Sequence, residues 1–114
     1  MKTKRTQARI NFEQSMSSLL SILIRTKGGG VYQFCEDHDQ VPMTMYRYMS
    51  GSGFDYFKVY ALISLFGPEY SNLYMHELQH AMMNEDYQFM DGVEMLRGME
   101  NFNEQNVNEL QCSE

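Results

Sequence analysis

Val31-Tyr32-Gln33-Phe34-Cys35-Glu36-Asp37-His38-Asp39-Gln40-Val41-Pro42-Met43-Thr44-Met45-Tyr46-Arg47-Tyr48-Met49-Ser50-Gly51 is the stretch whose reading decides the fold. Val31–His38 follows helical rather than alternating spacing and buries Phe34 and Cys35 together. Asp39 and Gln40 supply a turn. Pro42 suits the first position of a second helix, where the N–H it lacks would have no intrahelical partner anyway. That helix is expected over 42–50, with Met45, Tyr48 and Met49 inward and Met43, Thr44, Tyr46 and Arg47 on or near the outer face, ended by Gly51-Ser52-Gly53. A small residue, Cys35, ten positions before Met45, with Tyr48 three further on, is the inward-facing spacing of two helices folded around a tight turn.

Upstream, Phe12, Met16, Leu19, Leu20 and Leu23 line one stripe of a helix from about residue 11 to 27. Asn11 is its expected cap, and Arg25 and Lys27 complement its negative C-terminal end. Gly28-Gly29-Gly30 stops it. These glycines are no phosphate-cradling loop, because no strand precedes them and no Gly-Lys-Ser/Thr follows. Residues 1–10 are polar and basic and are expected to be a flexible arm able to track DNA phosphates or enter a minor groove.

Downstream, Asp55 or Ser52 is the expected cap of a helix carrying Val59, Leu62, Ile63 and Phe66, closed by Gly67-Pro68. Pro68 and Glu69 open the next, with Tyr70, Leu73, Tyr74, Leu78, Ala81 and Met82 on its buried stripe. Asn84-Glu85-Asp86 reads as the capped, acidic start of a sixth helix with Phe89, Met90, Val93 and Leu96 as its apolar positions. From Glu100 onward periodicity fades, and residues 103–114 are expected to form an acidic disordered tail. The sum is an all-α single domain of five or six helices over residues 11–102.

Length and composition agree: 114 residues are one domain's worth, rich in Met, Phe and Tyr and poor in Pro. Cys35 and Cys112 have no metal or redox spacing, and the apolar run Leu19–Ile24 is too short for a signal or membrane segment, so a reduced, cytoplasmic protein is expected. Charge is polarised within a net −6. Lys2, Lys4, Arg5, Arg9, Arg25 and Lys27 against Glu13 leave the first thirty residues at +5, whereas residues 68–114 set ten carboxylates against Arg97 alone. A phosphate backbone responds to the nearest face, within a Debye length of about 8–10 Å, rather than to the total.

On Cys35, Met45, Tyr48 and Gly51, followed by Val59, Leu62 and Phe66-Gly67, the segment 31–67 resembles the phage-repressor or Cro-like (xenobiotic-response-element type) helix-turn-helix family. Asp39 stands where that family usually has Gly at the turn. His38 and Gln40 replace apolar neighbours, so Val41 is expected to supply the missing turn contact. The resemblance implies a small sequence-specific DNA-binding protein, a transcriptional regulator without catalysis or cofactor, that reads the major groove of duplex DNA with helix 42–50. Met43 and Thr44 would meet thymine methyls, Arg47 a guanine edge or phosphate, and Tyr46 backbone or base. Gln33, Lys58, Arg25 and Lys27 would hold phosphates. A homodimer is expected, since one small reading helix binds weakly, with the Met-rich acidic C-terminal half as a possible interface for a copy or protein partner.

Two other readings compete. The unit can be a protein-docking module that keeps the shape without binding DNA, as the negative net charge and a reading face with Arg47 as its lone cation would allow. His76-Glu77-Leu78-Gln79-His80 fits H-E-x-x-H, in which two imidazoles one helical turn apart bind zinc and the Glu acts as general base. A zinc hydrolase also needs a third ligand, for which Glu85, Asp86 and Glu94 are available without a motif, and a substrate-binding strand that the sequence does not offer. Cys35 and His38 share a helical face, but a core thiol is expected there.

Overall fold

Phe12, Met16, Leu19, Leu20, Leu23 and Ile24 are all buried on one side of α1 (Gln7–Thr26), and the rest of the molecule is laid against that helix. The computed structural model describes residues 6–99. Around α1 it places α2 (Val31–His38), α3 (Pro42–Ser50), α4 (Tyr56–Ser64), α5 (Pro68–Met83) and α6 (92–99), with no strand among the described residues. The domain is therefore all-α with six helices. α3, α4 and α5 each pack on α1, α4 also packs on α5, and α2 braces α3. Each large apolar side chain fully buried this way contributes about 1.5–3 kcal/mol. Phe12 is the common anchor: its ring meets those of Phe54, Tyr56, Tyr74 and Tyr87 at centroid distances of 5.3 to 6.5 Å.

α1 starts earlier than its apolar stripe implies. Thr6 caps it, its hydroxyl oxygen accepting the Arg9 N–H at 3.1 Å, so Gln7–Ile10 are helical and Asn11 lies inside the helix. Residues 6–10 of the expected arm thus belong to the helical domain. Residues 1–5 and 100–114, with the remainder of that arm, the expected acidic tail and Cys112, lie outside the described residues.

The α2–α3 unit follows its sequence reading closely. Phe34, Cys35, Met45 and Tyr48 are buried. Asp39 takes up the left-handed conformation at φ 54°, and the Gln40 N–H closes the turn on the Cys35 carbonyl at 2.8 Å. Val41 does not fill the turn: it is 61% exposed. The packing comes instead from the His38 ring against Phe34, with centroids 4.6 Å apart, and from Phe66 stacked on Phe34 at 5.4 Å. Asp55 caps α4 by accepting the Lys58 N–H, and Pro68 opens α5.

The C-terminal portion departs from its reading. Asn84 begins no helix; its side-chain oxygen accepts the Asp86 N–H and its carbonyl the Tyr87 N–H, forming a turn. A non-helical strap then runs to Asp91, which caps α6 by accepting the Val93 N–H at 2.8 Å. Polar side chains of α1 tie the strap down: the Asn11 amide donates to the Tyr87 carbonyl, Ser15 accepts the Met90 N–H and Ser18 accepts the Gly92 N–H, each at 2.9 Å. These three residues occupy one face of α1. Tyr87 and Met95 are consequently the buried large side chains here, whereas Phe89, Met90 and Val93 are exposed. Met82, expected on the buried stripe of α5, is exposed too.

Candidate nucleic-acid interface

α3 is held from behind and open in front. Met45 and Tyr48 are locked into the core, Gly51 ends the helix in the left-handed region beside Ser17 of α1, and Met43 is 74% exposed, with Tyr46 and Arg47 also facing solvent. Thr44 and Lys58 line one shallow cleft of about 240 Å³ between α3 and α4, with Phe57 on its wall. A hydroxyl and an ammonium are thereby brought to a single edge of the unit.

The other expected contacts fall into separate places. The Arg47 guanidinium lies over the loop that follows α3: a Cβ at Gly53, itself at φ 63°, would sit 2.5 Å from Nη2. Glycine therefore leaves room for this cation beside the end of the helix. Lys27 ends α1 as its C-cap, and on α2 the Gln33 stem covers Gly29 while its amide donates to Asp37 at 2.8 Å. Arg25 lies near Met49 and Ser50 of α3, but in a depression it shares with Phe89 and Asp91 of the strap. Of the expected set, Thr44 and Lys58 are the pair brought to one cleft, while Arg47, Gln33, Lys27 and Arg25 lie elsewhere on the surface.

Sequence reasoning did not single out Tyr32 and Phe57, which are 71% and 83% exposed on the first turns of α2 and α4. The signal was available, because each falls off the buried stripe of its own short helix.

His76 and His80 are both exposed on α5, their rings 6.4 Å apart. Glu77 between them points inward, 8% exposed, and accepts the Tyr87 hydroxyl at 2.7 Å. The carboxylate that a zinc hydrolase would use as base is engaged in closing the strap. Among the described residues no group of three or more His, Cys, Asp or Glu side chains is arranged to hold a metal ion. Cys35 is buried, which raises its thiol pKa, while His38, exposed overall, lays its ring on Phe34. No helix among the described residues is long and apolar enough to cross a membrane.

Comparison with protein-family models, with curated proteins and with solved structures finds no match to this chain.

Proposed function

We propose that the protein is a small sequence-specific binder of double-stranded DNA, a transcriptional regulator of the Cro-like helix-turn-helix kind, that sets α3 into the major groove. The observation that carries the reading is the two-sidedness of α3, whose Met45 and Tyr48 anchor it while Met43, Thr44, Tyr46 and Arg47 remain available. A rigid helix with an open outer face can present side chains to base edges without paying to order them first. Thr44 and Met43 face thymine methyls, Lys58 at the same cleft takes a phosphate, and Arg47 takes a phosphate or guanine at the end of the helix. Lys27 and the first turn of α2, whose Gly30 cap offers no side chain to its N–H groups, serve a neighbouring phosphate. A homodimer on a two-fold symmetric site supplies the affinity one unit lacks.

Fluorescence anisotropy on duplexes selected from a random pool tests this. Affinity falls steeply with salt as counterions are released, and Arg47→Ala weakens binding about tenfold. Absence of binding to any duplex at low salt, or binding indifferent to salt, overturns the reading.

A second reading has its own support. Tyr32, Val41, Met43 and Phe57 are four large apolar side chains left exposed on or beside α2, α3 and α4, more than a phosphate surface requires. They suit a protein partner. In that case Phe57→Ala abolishes association with the partner while duplex binding is absent in the parent protein.

A further inference from the structure

α5 and α6 enclose a second groove, on elements that take no part in the α2–α3 unit. Its volume is about 540 Å³. Leu73 lines it from α5, and Met90, Met95 and Met99 line it from the strap and α6. One exposed carboxylate stands on each wall, Glu69 on α5 and Glu94 on α6, with His76 beside them. Glu77 forms part of the lining but is already engaged by Tyr87.

We infer that this groove docks a basic amphipathic helix of a protein partner. Two features select that occupant. Thioether side chains are unbranched and polarisable, so a methionine-lined groove can remould itself around different aliphatic anchors, which is what an inserted helix presents at i, i+3 or i+4 and i+7. The rim charge fixes the sign of the partner. Glu69, Glu77 and Glu94 line the groove and no Lys or Arg does, so an approaching acidic segment is repelled and a cationic one is drawn in. Lys or Arg on the partner can lay its aliphatic stem along Met90 or Met99 while its charged head reaches Glu69 or Glu94. The inference does not depend on what α3 binds.

The test uses the full-length protein and a fluorescent helical peptide of Leu and Lys with apolar residues at i, i+3, i+4 and i+7, beside a Leu/Glu peptide of the same pattern. Anisotropy shows saturable binding of the Lys peptide and none of the Glu peptide. Methyl NMR places the shifts at Leu73, Met90, Met95 and Met99. Glu69→Lys/Glu94→Lys lowers affinity at least tenfold. Glu85→Lys/Asp86→Lys, which changes net charge equally outside the groove, leaves it within about twofold, and circular dichroism verifies that both variants fold. Equal losses in the two variants, equal binding of the two peptides, or shifts elsewhere overturn the inference. So does a concentration-dependent dimer in sedimentation that is lost only in Glu69→Lys/Glu94→Lys, which makes the occupant a second copy of this chain.

Discussion

The α2–α3 unit and the C-terminal strap are both short segments folded onto α1, but they are attached by different means. Interdigitated apolar side chains hold the first: Met45, Tyr48, Phe34 and Cys35 are buried, and Phe66 stacks on Phe34. Hydrogen bonds from α1 side chains to the strap backbone hold much of the second, with the Tyr87–Glu77 bond closing it onto α5. Apolar packing is non-directional and tolerates small shifts, whereas a ladder of side-chain to backbone bonds works only at one register. α3 therefore rests on a forgiving base, and the acidic groove depends on a seat that a single atom can spoil.

The largest expected effect comes from that seat. A Cβ at Gly92 would lie 2.7 Å from the Ser18 carbonyl oxygen and 2.8 Å from the Leu19 Cα, both backbone atoms of α1 that cannot swing aside. Gly92→Ala should destabilise by about 1–3 kcal/mol, as overpacking does. Loss of amide hydrogen-exchange protection should appear at residues 90–95 before the α2–α3 unit is affected. Simultaneous loss across both regions would mean that they fold as one cooperative unit and would dissolve the contrast.

Legibility in the sequence divides along the same line. Attachment through apolar faces leaves a period in the sequence, so α2 and α3 were readable to the residue from Phe34, Cys35, Met45 and Tyr48. Attachment through Asn11, Ser15 and Ser18 leaves none, because such residues on a helix usually face water and their partners lie about 75 positions away. Asn84-Glu85-Asp86 misleads for a related reason: an Asn oxygen that can cap a helix can equally accept an N–H two residues on and make a turn. The outer face of α3 could be named from sequence. The placing of Arg47 over Gly53 and of Arg25 among strap residues could not, since both depend on how loops fold back.

One tyrosine–carboxylate bond ties α4 to α1 and another ties the strap to α5, and alkaline pH probes both. Tyr56 of α4 donates to Glu13 of α1 at 2.7 Å, with the Arg9 guanidinium over its ring, and Tyr87 donates to Glu77 at the same distance. Burial, with the neighbouring carboxylate, pushes the Tyr56 phenol up to about 12 and raises Tyr87 as well. Between pH 10 and about 12 the unfolded chain has released the Tyr56 proton while the folded chain retains it. The stabilisation is therefore complete below the unfolded value of about 10 and drains away as pH rises through the folded one. The urea midpoint should be flat from pH 8 to 9.5 and fall above pH 10. Tyr87→Phe leaves Glu77 buried without its donor, at a cost of about 1–3 kcal/mol, and should reduce the alkaline slope. A slope unchanged in that variant would assign the pH response to the other phenols raised by burial, Tyr56 and Tyr74.

The smallest effect belongs to the turn of the α2–α3 unit. Asp39 sits at φ 54°, where a residue with a Cβ is strained by roughly 1–2 kcal/mol, and by less for Asp than for most. Glycine removes that strain but gains freedom in the unfolded chain, offsetting about 0.5–1 kcal/mol, so Asp39→Gly should raise the melting temperature only slightly. Both Asp39→Gly and Asp39→Asn delete a carboxylate at the turn before α3, and Asn tolerates the same backbone conformation. If α3 enters a DNA groove, the two variants should bind duplex more tightly than the parent, by similar factors and most visibly at low salt, because the repulsion they remove is electrostatic and screened. A gain confined to Asp39→Gly would trace the change to turn geometry instead. No gain in either would place the carboxylate beyond the reach of the phosphates and weigh against α3 as the reading helix.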